Sequence, residues 1–237
     1  MRESQLYTKR IKIDDIDLLN TTPCKQEQQL ERFARREKYW YGDEQSLDMR
    51  NFIGCGCEAR VYESKDITKV LKVVNYTMTC CSPKEFIDIR ITLFNLLYPE
   101  TAYELVGFAR YYGDFCFVVE QPFIEGTRME LSEIEVEMNK RGFVNDKYQF
   151  INNNCIVEDL HQGNVLKDKH SNVFVIDAIP SLLSFCSMRR SESVSHNEYY
   201  MQQRQEMQKS IQEMAEKPLS FEEKKEQTDL ILNSLYY

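Results

Sequence analysis

The run Ile156-Val157-Glu158-Asp159-Leu160-His161-Gln162-Gly163-Asn164-Val165-Leu166 closes one apolar stretch with a carboxylate and opens the next with an amide five residues later. A loop of that length can aim the Asp159 carboxylate at an incoming hydroxyl and turn the Asn164 side-chain oxygen toward a magnesium ion. A further carboxylate, Asp177, ends the apolar run Val173-Phe174-Val175-Ile176. If the stretches that open at Asn164 and end at Asp177 pair antiparallel, both side chains leave at one edge of the ribbon and offer two hard oxygen ligands to one cation. Upstream, Gly54-Cys55-Gly56 is followed 16 residues after Gly56 by Lys72, within Val70-Leu71-Lys72-Val73-Val74. Paired glycines let a backbone approach a polyphosphate and present N–H groups to it. A lysine among aliphatic residues is costly to bury unless it meets an anion, and nucleotide α and β phosphates are such anions. The plainer readings are a bulged hairpin with a snorkelling lysine, and a turn aspartate followed by a strand-edge cap.

These residues need a scaffold. Leu30, Phe33 and Ala34 share one face of a helix predicted over 26–38. Two valine-rich runs, NFIGCGCEARVYES and TKVLKVVNY, predict a hairpin with glycines near the start of its first strand. Ser82 as cap, Pro83 at the first helical position and Glu85 completing a capping box start a helix that runs through FIDIRITLFNLLY and stops before Pro99. YELVGFARYYG and FCFVVEQPF read as two more strands, turning at Gly113-Asp114. A helix over 131–141 follows, with Leu131, Ile134 and Met138 on one side and Gly142 as its stop. Three short strands come next, around 155–157, 164–167 and 173–176. From Met188 the chain is polar, with helices expected over 197–215 and from a capping box at Ser220 to Glu223.

A chain of 237 residues with 42% hydrophobic and 29% charged side chains is ordinary globular material. Its net charge of -8 and pI near 5.1 argue against coating a nucleic acid, so no direct nucleic-acid binding is expected. No run approaches the 18 or more apolar residues that cross a bilayer, and MRESQLYTKRIKIDD lacks the apolar core of a signal peptide. The expected setting is therefore cytoplasmic, without membrane contact, and the eight cysteines read as reduced thiols.

DLHQGN followed by a strand and VIDA resembles the catalytic loop and metal-binding aspartate of the protein-kinase-like superfamily. The D-L-H-x-G-N form is similar to that of the aminoglycoside and choline phosphotransferases. The ordered set GCGCEARVYES, TKVLKVV, QPFIEG, RGF, DLHQGNVL and VIDAIP, over residues 25–182, resembles the kinase-like domain of polyvalent proteins from phages and conjugative elements. The resemblance implies an α+β chain with a minimal two-lobed kinase-like fold: an antiparallel N-lobe sheet, one C-type helix and a reduced C-lobe. Its expected segments are an extension at 1–45, the N-lobe at 46–125, the reduced C-lobe at 126–182 and a helical segment at 183–237.

The resemblance also implies ATP and magnesium as cofactors. Gly54 and Gly56 would lie in the nucleotide-covering loop and Lys72 on the α and β phosphates, with Asp159 as catalytic base and Asn164 with Asp177 on magnesium. Glu85 or Asp88 would pair with Lys72, with Glu85 preferred. Because Pro122 has no N–H, the adenine would meet the Phe123 N–H and the carbonyl of Glu120 or Gln121. His161 would either hold the loop through backbone or touch substrate. The chain departs from the pattern in having no arginine before Asp159, Ala178 and Ile179 after Asp177, and no Ala-Pro-Glu segment. The reading is a phosphotransferase acting on a hydroxyl, on a protein in preference to a small molecule. The alternatives are a nucleotide-binding pseudokinase module of a mobile-element system and an antibiotic-type small-molecule phosphotransferase.

Overall fold

Alternation of buried aliphatic residues builds the first sheet. The computed structural model describes residues 11, 18, 21–147, 149–152 and 154–182, so the helices expected beyond Met188 lie outside the described residues. The strands are β1 (Phe52–Cys55), β2 (Ala59–Glu63), β3 (Lys69–Asn75), β4 (Glu104–Tyr111) and β5 (Asp114–Pro122), antiparallel throughout in the order β1-β2-β3-β5-β4. The first valine-rich run forms two strands instead of one. The Gly56 N–H closes a tight turn onto the Ala59 carbonyl at 2.9 Å, and Gly56-Cys57-Glu58 offers no apolar side chain to continue the strand.

Period-two alternation gives this sheet two buried faces. On one, Tyr62, Leu71, Val73, Ala109, Cys116 and Val118 pack against Leu47 of the short helix α2 (Glu44–Asp48). On the other, Phe117 stacks on Phe86 with ring centroids 4.4 Å apart and meets Tyr76 and Phe108 edge-on.

The leading helix α1 (Pro23–Glu37) buries Gln26, Leu30 and Ala34, while Phe33 is half-buried against Tyr39. It is tied to the sheet by Arg110, whose Nε lies 3.0 Å from a Glu31 oxygen, and by the Tyr76 hydroxyl, which donates to Glu27 at 2.7 Å. Behind it, residues 39–42 run along the outer edge of β4. Phe108 N–H donates to the Tyr39 carbonyl, Tyr41 N–H to the Phe108 carbonyl, and Arg110 N–H to the Gly42 carbonyl. The approach is close enough that a Cβ on Gly107 would sit 2.3 Å from the Tyr39 oxygen, so only glycine fits. A segment that read as an extension thus covers the exposed edge of a sheet.

α3 (Pro83–Glu85) starts with the Ser82 hydroxyl accepting the Glu85 N–H at 3.1 Å, as expected. The Glu85 carboxylate reaches one residue further back than a capping box, to the Cys81 N–H at 2.7 Å. The helix widens into a π segment (Phe86–Ile91) before resuming as α4 (Thr92–Leu97). Phe86, Ile87, Ile89, Arg90, Ile91, Leu93 and Phe94 are buried, whereas Asp88, Thr92 and Asn95 are only half-buried.

The chain forms two compact units. One contains the described residues up to Ile87 together with Ala102–Phe123, and the other contains Asp88–Thr101 and the described residues from Ile124. The second unit holds α4, a 3-10 turn (Pro99–Thr101), α5 (Leu131–Lys140) and two antiparallel sheets. In one, β6 (Thr127–Arg128) pairs with β10 (Val165–Lys167), which pairs with β11 (Val173–Val175). In the other, β7 (Val144–Asp146), β8 (Gln149–Ile151), β9 (Cys155–Glu158) and β12 (Ile179–Leu182) lie in the order β12-β9-β8-β7. Gly142, at a φ of 81°, ends α5 as expected, with the Phe143 N–H turned back to the Met138 carbonyl at 2.9 Å.

Tyr98, just after α4, is buried, and its hydroxyl has no hydrogen-bond partner among the described residues. Burial pushes that phenol well above its ordinary range. An unpaired buried hydroxyl costs about 1–3 kcal/mol. Tyr98→Phe is therefore expected to stabilise the fold by about 1 kcal/mol, read as a higher denaturant midpoint at unchanged slope. A lower midpoint would show that the hydroxyl is satisfied.

Candidate active site

In the first unit the row Gly54, Val61, Lys72, Val119 and Leu105 crosses the sheet as directly opposed residues. Lys72 therefore points to the Phe117 face, the one against which Phe86 packs. It is 5% exposed, with Nζ 5.3 Å from the centre of the Tyr103 ring. That burial excludes a lysine that snorkels into water. Gly54 and Gly56 have no positive φ, and a Cβ built on either meets nothing within 4 Å. Backbone strain does not demand glycine here. What glycine leaves is open space over the chain.

Glu85 is buried, with one carboxylate oxygen committed to the helix start. Glu120 projects to the sheet face opposite Lys72. There its carboxylate accepts the Ser64 hydroxyl at 2.6 Å and lies 3.6 Å from Lys69 Nζ, which itself meets Glu104 at 2.7 Å. Burial, and then the Glu120 charge, push the Tyr41 phenol up to about 12.

The adenine contacts expected of the connector need correction. The Phe123 N–H is donated to the Thr68 carbonyl at 2.8 Å, closing the β3–β5 hairpin, so it is not available to a nucleotide. Peptide groups alternate in direction along a strand. Gln121, two residues back, therefore also faces β3, opposite Val70, while Glu120 stands opposite Glu104 of β4. The carbonyls assigned to Glu120 and Gln121 lie within the ladder, whereas Pro122 lies beyond the first paired residue of β4.

In the second unit, β9 ends at Glu158 and the chain turns sharply, with Asp159 at a φ of 61°. Left-handed backbone is uncommon outside glycine, although aspartate and asparagine tolerate it best, and such outliers concentrate at working sites. The conformation is locked by Asn164, whose Nδ2 donates to the Asp159 carbonyl at 2.8 Å and to its Oδ2 at 2.9 Å. With the amide nitrogen so engaged, Asn164 Oδ1 is the atom that can meet a cation. The Ile176 N–H donates to the Asn164 carbonyl at 2.9 Å, which sets Asn164 and Ile176 opposite each other at one end of the β10–β11 ribbon. Asp177 follows directly, and its Oδ1 lies 3.7 Å from Nη2 of the buried Arg90. Among the described residues no group of three or more acidic, histidine or cysteine side chains could hold a metal. Magnesium takes only one or two protein carboxylates or amides besides phosphate and water, so the Asn164 and Asp177 oxygens fit that ion.

His161 bonds to the backbone of its own loop: its Nδ1 accepts the Gly163 N–H at 2.9 Å, while Nε2 lies 3.6 Å from Asp159 Oδ1. Arg90 was missed in the sequence. Its signal was a second charge, two residues after Asp88, in the run Ile87-Asp88-Ile89-Arg90-Ile91, whose other residues are isoleucine.

Asp159 is thus held in left-handed backbone by an asparagine five residues on, and Asp177 follows the β10–β11 ribbon that starts beside that asparagine. The sequence model of the serine/threonine/tyrosine kinases found in polyvalent proteins matches residues 24–183, more than half of the chain. The chain belongs to this kinase family. Neither a curated protein nor a solved structure matches it. The polyvalent-protein kinase match takes in both units, from the start of α1 to just past β12. No helix among the described residues of this kinase-like chain is long and apolar enough to cross a membrane.

Proposed function

We propose that the chain is an ATP- and magnesium-dependent phosphotransferase that moves the γ-phosphoryl group to a hydroxyl, on a protein in preference to a small molecule. The observation that carries this reading is the Asp159–Asn164 lock. A carboxylate fixed in uncommon backbone by a neighbouring amide is positioned in advance for its task. Lys72 holds the α and β phosphates, Gly54 and Gly56 leave room for the chain to cover them, and Asn164 with Asp177 holds the magnesium. Glu85 or Asp88 pairs with Lys72. A magnesium ion held by these residues would supply charge neutralisation on the phosphates. Asp159 orients the acceptor hydroxyl and takes its proton. The Pro122 carbonyl takes over the acceptor role for adenine. In this reading the two units are the two lobes of a minimal kinase-like fold, 183–237 is an appended helical segment, and the setting is the cytoplasm of a cell that carries a mobile element.

Incubating the full chain with magnesium and γ-labelled ATP, with casein as acceptor, tests this. Label on casein or on the chain itself, dependent on magnesium, is expected. Nucleotide binding without transfer would overturn the activity and leave a pseudokinase module. One feature favours that second reading: the buried Arg90 beside Asp177 competes with a cation for the same carboxylate.

Gly54→Val and Gly56→Val fill the open space without backbone strain. Each is expected to weaken nucleotide affinity roughly 10-fold, about 1.4 kcal/mol, at unchanged thermal midpoint. Unchanged affinity in a nucleotide titration would remove these glycines from the site.

A further inference from the structure

We infer that His161 is a positioning residue for Asp159, with its tautomer set by its own loop; this rests on the reading of Asp159 as the base. The Gly163 N–H points at His161 Nδ1 at 2.9 Å, and a nitrogen accepts only through an unprotonated lone pair. The ring hydrogen is therefore on Nε2, the atom that faces Asp159 Oδ1 at 3.6 Å.

A second observation fixes the ring in place. A Cβ on Gly163 would lie 2.8 Å from His161 Cε1 and 3.1 Å from Nδ1, so only glycine lets the imidazole lie back on the loop. The Asp159 carboxylate thus has Oδ2 bonded by Asn164 Nδ2 at 2.9 Å, while Oδ1 lies 3.6 Å from His161 Nε2, just outside hydrogen-bond distance. Catalytic hydrogen bonds often run long in free enzymes and shorten when the reacting complex assembles. Closing the His161 contact pins the carboxylate rotation, so that one oxygen edge faces the acceptor hydroxyl.

The two ring nitrogens can be replaced separately. In His161→Asn the side-chain oxygen can still accept from Gly163 but nothing reaches Asp159. In His161→Gln the longer amide can still donate to Asp159. Nitrogen-15 spectra of the full chain, with the His161 signals assigned by their loss in His161→Gln, read the tautomer directly. The expected state is Nε2–H, with an Nε2–H resonance that moves in Asp159→Asn and a tautomer that becomes averaged in Gly163→Ala.

In transfer assays with ATP and casein, His161→Asn is expected to lower kcat about 10-fold or more, the loss of one hydrogen bond to a charged group. Nucleotide affinity should stay unchanged, and His161→Gln should stay within about threefold of wild type. An Nδ1–H ring, or equal kcat for both variants and wild type while Asp159→Asn is inactive, overturns the inference. If the wild-type chain transfers no phosphate, the base assignment of Asp159 fails. The spectra then decide alone: an Nε2–H resonance indifferent to Asp159→Asn refutes the contact, and one that responds upholds it.

Discussion

Asp159→Asn is expected to lower phosphoryl transfer about 10²- to 10⁴-fold, the range for a general base, while nucleotide affinity stays within about twofold. The structure makes this substitution unusually clean. Asparagine tolerates the left-handed backbone at Asp159 almost as well as aspartate does, and its side-chain oxygen can still accept from Asn164 Nδ2. The loop therefore keeps its shape while losing the group that takes a proton. Alanine is the poorer probe, because it costs about 1 kcal/mol in left-handed backbone and also abandons the Asn164 bond. If Asp159 were only a turn residue, the asparagine variant would match wild type in both transfer and stability. A transfer rate within a few-fold of wild type, measured at saturating magnesium and ATP, would contradict the assignment.

Lys72→Met should lower transfer about 10²- to 10³-fold, the loss found when a preorganised charge on the reacting group is removed, and should weaken nucleotide binding as well. Lys72 lies on an inner strand between β2 and β5 and is 5% exposed, so its ammonium pays for desolvation. Methionine of similar length fills the same space but leaves the acidic partner assigned to Lys72 without its cation, so the thermal midpoint should hold or fall. A side chain kept only for packing would show no change in nucleotide binding. Titrating the variant with a fluorescent ATP analogue separates the two outcomes.

The loop geometry of the second unit was legible because it is nearly contiguous: Asp159 and Asn164 lie in one loop, and a short ribbon ends just before Asp177. The first unit was legible in its valine-rich strands but not in its details. The break at Gly56 depends on a single turn hydrogen bond within a run that alternates well. The Phe123 donor failed for a reason no residue type reveals, since the direction of an N–H depends on which neighbour the strand pairs with. Strands of two or three residues, such as β6, β7 and β8, carry too few alternations to show a period. The edge-covering role of residues 39–42 is visible only through Gly107, whose missing side chain makes room for them. The π segment left no compositional mark beyond Asp88 and Arg90 among isoleucines.

Asn164 and Asp177 are proposed to hold the magnesium of a bound nucleotide whose phosphates meet Lys72. A crystal structure of the full chain grown with magnesium and a non-hydrolysable ATP analogue tests it directly. The expected result is a cation about 2.0–2.1 Å from Asn164 Oδ1 and an Asp177 oxygen, with Lys72 Nζ on the α and β phosphates. A nucleotide seated away from Lys72, or a cation held by neither Asn164 nor Asp177, would contradict it.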